Sequence, residues 1–141
     1  MQYTKLARKV GVIGAMAIGI FAVNGHQAAA TSDAKPKIET LFEGPLAAAP
    51  GMNLMIKRFA VPPGFVGGKH YHPGQVFVYV LEGGISVEMG DDAPLNLKPG
   101  DLFQEPLGRV MLGKNLSADD WAKFIVFQIG EAGKPMMVKA E

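Results

Sequence analysis

Short apolar stretches, each interrupted by glycine or proline, make up most of the chain from residue 38 onward. Residues 85–89 alternate apolar and polar side chains, the period-two pattern of a half-buried strand. No segment keeps a helical period over two turns, and Ser117–Asp120 is long enough only for one capped helical turn. The pattern predicts an all-β fold, a small barrel or sandwich. The predicted strands are Ile38–Phe42, Asn53–Val61, Val66–His72, Gln75–Leu81, Ile85–Met89, Pro94–Leu97, Leu102–Glu105, Arg109–Leu112 and Phe124–Ile129.

The first 30 residues have the three parts of a secretory signal peptide. Basic residues at 5, 8 and 9 precede an apolar run at Val10–Val23, and small residues at Ala28–Ala30 end the segment. The apolar run has 14 residues, whereas a membrane-spanning helix needs roughly 20. We therefore expect cleavage after residue 30 and export to a bacterial periplasm, with no membrane attachment after cleavage.

Removal of the leader changes the charge of the chain. The mature 111 residues carry 11 Lys and Arg against 13 Asp and Glu, and no basic patch that would indicate nucleic-acid binding. A chain of this size forms one compact domain. We divide it into a lead-in with the first strand (31–49), a barrel (50–130) and a C-terminal tail (131–141). Because cysteine is absent, a disulfide scaffold and a cysteine-based zinc site are excluded.

Candidate chemistry centres on two histidines one residue apart, His70 and His72, which precede the turn at Pro73-Gly74. On a strand, side chains two residues apart point to the same face, so both imidazoles can approach one metal ion. The pair alone does not establish a metal site, because the sequence shows no obvious residues that complete it.

The residues around this pair resemble the cupin family. Two gapped motifs of that family, G-x5-H-x-H-x(3,4)-E-x6-G and G-x5-P-x-G-x2-H-x3-N, occur in the expected order, each with one fixed position replaced. The resemblance covers roughly residues 50–130 and implies a single-domain, RmlC-like barrel of the cupin jelly-roll type. The fixed positions present are Gly64, His70, His72 and Gly83 in the first motif, and Gly100, Pro106, Gly108 and Asn115 in the second.

The two replaced positions are metal-ligand positions of the family. Val76 stands where the first motif has glutamate, and Met111 stands where the second has histidine. In metal-binding cupins these two residues and the histidine pair coordinate one divalent ion, so the resemblance implies that half of the ligand set has changed. Loss of the only anionic ligand weakens binding of hard ions such as Mn(II) or Fe(II).

Three interpretations of the remaining histidine pair stay open. Gln75 or Glu105 supplies an oxygen, and a weaker site binds Mn, Fe, Ni or Zn, although Gln75 has the wrong strand parity. Alternatively, Met111 contributes a thioether and the site suits copper. In the third interpretation the site binds no metal, and the histidines serve as hydrogen-bonding groups in a pocket.

The resemblance also implies a ligand pocket inside the barrel, lined by Val76, Val78, Arg109 and Met111. Our first hypothesis is an exported small cupin that binds a small molecule there, with a weakened metal site. One alternative is a metal-dependent enzyme of the dioxygenase or isomerase type. The other is a non-catalytic protein that forms a homodimer through the apolar edge strand Ile38–Phe42.

Overall fold

The computed structural model of the protein describes residues 34–141, so the predicted signal peptide lies outside the described residues. This part of the chain contains strands and no helix, which confirms the all-β prediction. Residues 34–141 accordingly hold no helix with the length and apolar character needed to cross a membrane. The strands are β1 (Lys37–Pro45), β2 (Met52–Val61), β3 (His70–Tyr71), β4 (Gln75–Glu82), β5 (Ile85–Glu88), β6 (Leu95–Leu97), β7 (Leu102–Glu105), β8 (Leu112–Asn115), β9 (Ala122–Glu131) and β10 (Val138–Lys139).

The strands form two main sheets and one small one. The larger sheet has five strands in the order β1-β2-β9-β4-β7, and the second has three in the order β6-β5-β8. All their pairings are antiparallel. The short strands β3 and β10 pair separately. Long connections along the chain therefore bring β9 between β2 and β4, at the centre of the larger sheet.

Side chains from both main sheets meet in one apolar core. Strand β4 shows the underlying alternation, since Val76, Val78 and Val80 are buried and the residues between them are more exposed. Branched apolar residues suit this pleated, inward-facing surface. The buried apolar residues are Val61, Val76, Val78, Val80, Ile85, Val87, Leu97, Met111, Ala122 and Val126.

A close backbone approach places the turn before β4 against the end of β9. Gly74 lies in this turn, and a Cβ atom built on it would stand 2.6 Å from the Ile129 carbonyl oxygen and 2.9 Å from the Gly130 Cα. Real side chains do not tolerate such distances to backbone atoms, so only glycine fits here without movement. The turn that follows the histidine pair is thereby held next to β9.

Several strand boundaries differ from those predicted. The predicted strand Val66–His72 is reduced to the two residues of β3, and Arg109–Leu112 is displaced to β8 at Leu112–Asn115. Strand β10 was not predicted, because two residues in a polar tail carry no periodic pattern. The ends of these strands depend on the strands with which they pair. The sequence pattern within one segment does not reveal those partners.

The segment Ser117–Asp120, which is long enough for one capped helical turn, forms none. The Ser117 hydroxyl accepts hydrogen bonds from the backbone amides of Asp119 and Asp120, as a helix cap does, but no helix follows. The buried Asn115 side chain explains this, since its amide donates to the Pro62 and Asp120 carbonyl oxygens. These bonds tie the segment to the end of β2, so Asn115 of the second motif has a structural role.

Candidate functional site

The histidine pair begins at strand β3, which has a neighbour on each side. On one side, the His70 amide donates to the Met111 carbonyl at 2.9 Å, and the Met111 amide donates to the His70 carbonyl at 2.8 Å. On the other side, Lys139 of β10 is the register partner of His70. The backbone carrying the first imidazole is therefore held between two distant parts of the chain.

Both imidazole rings are anchored through the same ring nitrogen. The Nδ1 atom of His70 lies 2.8 Å from the Gly68 carbonyl oxygen, and Nδ1 of His72 lies 2.6 Å from the Met136 carbonyl oxygen. A carbonyl oxygen only accepts, so each Nδ1 carries the hydrogen and donates it. In the neutral rings Nε2 then presents its lone pair, which is the state required of a histidine metal ligand. The ring centroids are 5.0 Å apart and nearly perpendicular.

A carboxylate lies beside the second imidazole. Glu105 Oε2 is 3.3 Å from His72 Nε2, and the Glu105 side chain is buried. Glu105 is the register partner of Val76 across β4 and β7, and Gln128 is the partner of Val76 across β4 and β9. Directly paired residues of neighbouring strands point to the same face. Two polar side chains therefore flank Val76, the position where the first motif has its glutamate.

The two flanking side chains each keep an unpartnered oxygen in the interior. Glu105 is 7% exposed and Gln128 is 4% exposed. Among the described residues, their oxygens Glu105 Oε2 and Gln128 Oε1 are the buried side-chain atoms without a hydrogen-bond partner. A buried polar oxygen left without a partner is destabilising by about 1–3 kcal/mol. Both atoms thus point to a cation, a proton or a ligand group that completes the site.

Burial changes the ionisation of the pair. It raises the pKa of the Glu105 carboxyl to about 7, while the charge of His70 acts weakly in the opposite direction. It also lowers the pKa of His72 below its ordinary value, although the Met136 carbonyl and the nearby Gln128 side chain act to raise it. Near neutral pH the site therefore holds an uncharged imidazole beside a carboxyl group that is partly protonated.

The donor set fits a divalent transition metal in its chemistry. Ligand atoms about 2.0–2.2 Å from one ion stand about 2.8–3.1 Å apart at a right angle and about 3.3–3.6 Å apart at the tetrahedral angle. The His72–Glu105 contact of 3.3 Å is of the tetrahedral size. Within residues 34–141, no three histidine, cysteine, aspartate or glutamate side chains already form a complete ion-holding group. His70 is the third side chain of this set, and its ring centroid lies 5.0 Å from that of His72.

The three residues predicted to complete the site lie in three different surroundings. Glu105 lies next to His72, as described. Gln75 has its amide within 3.3 Å of the Val76 and Glu105 carbonyl oxygens, to which it donates, so it is engaged by backbone on the opposite face of β4. Met111 is buried in the core beside His70, with its backbone paired to that residue.

The predicted pocket residues also divide into two groups. Val76 and Val78 are buried in the barrel interior. Arg109 instead lies at the surface, where its guanidinium pairs with the Asp92 carboxylate at 2.5 Å and donates to the Met89 carbonyl oxygen. Arg109 therefore fastens the β7–β8 loop to the β5–β6 turn, and its charge is already paired.

Two grooves open on the described surface. The smaller, about 340 Å³, reaches Gln128 and is bordered by residues 133–135 and by Asn53. The larger, about 630 Å³, lies at the other ends of β4 and β9 and is lined by Trp121 and Lys37 among others. Lys37 already stands over the Trp121 ring. Of these two, the smaller groove touches Gln128, the register partner of Val76, and is therefore the candidate route to the histidine pair.

Two contributors to the site were not predicted from the sequence. Gln128 is a single polar residue in the apolar strand β9. Its place beside Val76 follows from the register between β4 and β9, which the sequence does not show. Met136 contributes only its carbonyl oxygen, which every residue possesses. The one sequence signal available was the polar Gln128 within the apolar run Phe124–Ile129.

Solved structures similar to this chain share its barrel. They include an RmlC-like cupin with a double-stranded β-helix fold from Methanocaldococcus jannaschii (24% identity, TM-score 0.58, 70% of this chain and 84% of that one). A cupin-like protein from Thermotoga maritima is 18% identical, with a TM-score of 0.60, and the match covers 74% of this chain and 75% of that one. The DMSP lyase DddQ from Ruegeria pomeroyi is 23% identical (TM-score 0.54), over 62% of this chain and 43% of the lyase. The match spans less than half of the lyase, and similarity at these identities establishes the fold alone.

The sequence comparisons give the family. No curated protein matches the chain. Residues 57–127, half of the chain, match the cupin domain. This range contains the histidine pair, Glu105 and most of both main sheets. Together with the double-stranded β-helix neighbours, it confirms the cupin-type jelly-roll barrel expected from the two motifs. The chain belongs to the cupin domain family.

Proposed function

We propose that this cupin binds one divalent transition-metal ion through His70, His72 and Glu105, and that the loaded centre takes a small molecule with an oxygen donor. The observation that carries the proposal is the buried Glu105 oxygen, which has no hydrogen-bond partner and lies 3.3 Å from His72 Nε2. In the proposed site, Glu105 on β7 supplies the anionic ligand that Val76 on the neighbouring strand β4 does not provide.

The charge of the donor set favours this assignment over a soft copper site. Two imidazoles and one carboxylate are the ligands that suit Mn, Fe, Ni or Zn. A copper site would use the Met111 thioether, but Met111 is packed among buried apolar side chains, where methionine commonly fills space. We therefore assign Met111, with Val76 and Val78, to the apolar wall of the binding pocket.

The small molecule would enter by the groove that reaches Gln128. Three protein ligands leave coordination positions for substrate, where a bound metal acts as a Lewis acid on an oxygen donor. The Gln128 side chain, buried with its oxygen unpartnered, is placed to hydrogen-bond a hydroxyl or amide group of the entering molecule.

An enzymatic role at the same centre is the second candidate. It is favoured by the raised pKa of the buried Glu105 carboxyl, about 7, because this group, while it is not coordinated to a metal, can accept or donate a proton near neutral pH, as isomerisation or elimination requires. The lyase among the solved neighbours shows that a cupin barrel can serve as an enzyme. In this chain a dioxygenase or isomerase type of reaction remains an alternative to binding alone.

The test is the metal content of the exported protein. Export itself is proposed from the leader, and predicts that the periplasmic protein has the mass of a chain starting at Thr31. We expect about one Mn, Fe, Ni or Zn ion per wild-type chain. The Glu105→Gln and His72→Ala variants should bind that ion about tenfold or more weakly, because each loses a ligand.

The Met111→Leu variant is the matched comparison, since it keeps the volume and removes the thioether. The proposal expects unchanged metal content in this variant. Copper that disappears in Met111→Leu and persists in Glu105→Gln would replace the proposal by the soft site. If wild type carries no metal, and added ions leave its melting temperature unchanged, the metal centre is refuted and a metal-free pocket remains.

A homodimer is proposed from the exposure of β1. This strand is the edge of the five-stranded sheet, and its apolar residues Ile38, Leu41 and Phe42 are exposed. An exposed apolar edge strand is a ready site for pairing with another chain. A second copy of this protein would cover it, and the same surface serves the third hypothesis of a non-catalytic interaction protein.

A further inference from the structure

The last part of the described chain crosses the site as a strap, which we define as residues 132–140. Its start is fixed by a hydrogen bond from the Ala132 amide to the Gly51 carbonyl oxygen, and its end by one from the Ala140 amide to the Lys69 carbonyl oxygen. Between them, β10 pairs with β3, which carries His70. The strap therefore contacts the backbone around His70, from Lys69 to Tyr71.

The strap also supplies the acceptor that orients the second imidazole. The Met136 carbonyl oxygen lies 2.6 Å from His72 Nδ1, although the two residues are 64 positions apart in sequence. Without that acceptor, the hydrogen of a neutral imidazole distributes between its two nitrogens. The fraction of rings with a free Nε2 directed at Glu105 would then fall.

The packing of the Met136 side chain holds this carbonyl oxygen next to His72. The side chain is partly buried and packs against the apolar core. The neighbouring residues Gly133, Lys134 and Pro135 border the groove that reaches Gln128. One short segment therefore packs against the core, orients the His72 ring and borders the proposed access route. This segment lies beyond residue 127, where the match to the cupin domain ends.

We propose that the strap is a positioning element that holds the histidine pair in its ligand-ready state, an inference that rests on the proposed metal function. It acts through the Met136 carbonyl on His72 and through β10 on His70. It contributes no ligand itself. Opening of the strap weakens metal binding while every ligand side chain remains present.

The register of β10 provides a sharp test with proline. The Ala140 amide donates to the carbonyl oxygen of Lys69, the residue before β3, and in an antiparallel pair alternate residues point their amides to the same neighbour. The Val138 amide therefore faces β3, and the Lys139 amide faces away. Val138→Pro removes a hydrogen bond of the strap, whereas Lys139→Pro, the matched control, removes none.

Two readouts are taken on the full mature chain. In the metal-free protein, nitrogen-15 NMR reports whether His72 keeps its hydrogen on Nδ1. In a Co(II) titration, the affinity of the histidine pair is measured directly. We expect Val138→Pro to show mixed His72 tautomers and about tenfold or more weaker Co(II) binding. Lys139→Pro should resemble wild type in both.

The Ala140→Pro variant makes the test independent of whether Val138→Pro folds. It removes only the bond to the Lys69 carbonyl and should shift both readouts in the same direction by a smaller amount. A folded Val138→Pro or Ala140→Pro protein with the wild-type His72 tautomer and Co(II) affinity would overturn the inference. If wild type binds no Co(II) but Val138→Pro still changes the His72 tautomer, the metal function fails and the positioning role stands.

Discussion

At the scale of single residues, the carboxylate that the first cupin motif has at position 76 is absent, and another carboxylate stands on the neighbouring strand. Val76 is fully packed in the core, so its position has become part of the apolar interior. Its register partner Glu105 brings a carboxylate to the same face, one strand away. This carboxylate lies beside His72 and is buried, and the burial raises the pKa of Glu105 to about 7.

This raised pKa predicts how the stability of the metal-free protein depends on pH. Below pH 4.5 Glu105 is protonated in both the folded and the unfolded chain, and contributes no difference. Between pH 4.5 and about 7 only the folded chain keeps the proton, so the free energy of unfolding falls as pH rises. The full change in pKa corresponds to about 3 kcal/mol. Glu105→Gln removes the effect, and at pH 8 it should be more stable than wild type by an amount of this order.

Urea unfolding between pH 4.5 and pH 8, with a chelator present, measures this difference. The lowered pKa of His72 has the opposite sign, since it costs stability at acid pH, but it is present in both proteins and largely cancels. Glu43→Gln, on the exposed strand β1, is the control and should track wild type at every pH. If the free energy of unfolding of Glu105→Gln changes with pH as that of wild type does, the prediction of a buried, ionisable Glu105 is wrong.

Residue-level prediction from the sequence reached part of the site. The two histidines follow from their spacing, and Glu105 was among the three completing residues considered. Choosing among Gln75, Glu105 and Met111 required the register between β4 and β7, which is a contact between distant segments. Gln128 and the Met136 carbonyl depend on register and on the path of the tail in the same way.

At the scale of elements, the turn between β3 and β4 shows a constraint that depends on backbone contact. Gly74→Ala would put a Cβ atom 2.6 Å from the Ile129 carbonyl oxygen, so β9 or the turn must move. We expect a loss of about 1–3 kcal/mol in the free energy of unfolding. The Gln128 side-chain nitrogen would also lie only 3.0 Å from that Cβ, so Gln128 should be displaced.

Gly68→Ala is the matched control for this variant. It lies six residues earlier, on the other side of the histidine pair, and an added Cβ meets nothing within 4 Å. Its unfolding free energy should therefore stay within about 0.5 kcal/mol of wild type. Equal stability losses for the two variants in urea unfolding would show that general glycine replacement, and not the contact with β9, is responsible.

Elements were predicted well where a strand is long and periodic, and poorly where it is short. Strands β2, β4 and β5 appear close to their predicted limits because glycine or proline residues bound them, and burial alternates along β4. Strands β3 and β10 are two residues each, and exist because the tail returns to the histidine pair. No local pattern encodes that return.

At the scale of the whole molecule, the barrel leaves one long edge uncovered. Ile38 on β1 is 59% exposed and Phe42 is 47% exposed, so a monomer presents apolar side chains along its edge. We expect the mature protein to be a dimer in analytical ultracentrifugation. An Ile38→Asp/Phe42→Asp double variant should shift the dissociation constant upward by at least about tenfold, since two charges would be buried at the interface.

Leu102→Asp is the comparison for this prediction. Leu102 lies on β7, the opposite edge of the same sheet, and is similarly exposed at 63%. This variant should keep the wild-type dissociation constant. A monomeric wild type, or dimers weakened only by Leu102→Asp, would exclude β1 as the interface.

The strap has a consequence for the order in which the site is made. Residues 132–140 follow every ligand of the proposed centre in the chain, and the acceptor of His72 is among them. In the export that we propose from the leader, an unfolded chain would release the histidines and Glu105 before the strap. The proposed centre would then be completed last, after the barrel has reached its destination. The metal it acquires would then reflect the ions available in that compartment more than those of the compartment of synthesis.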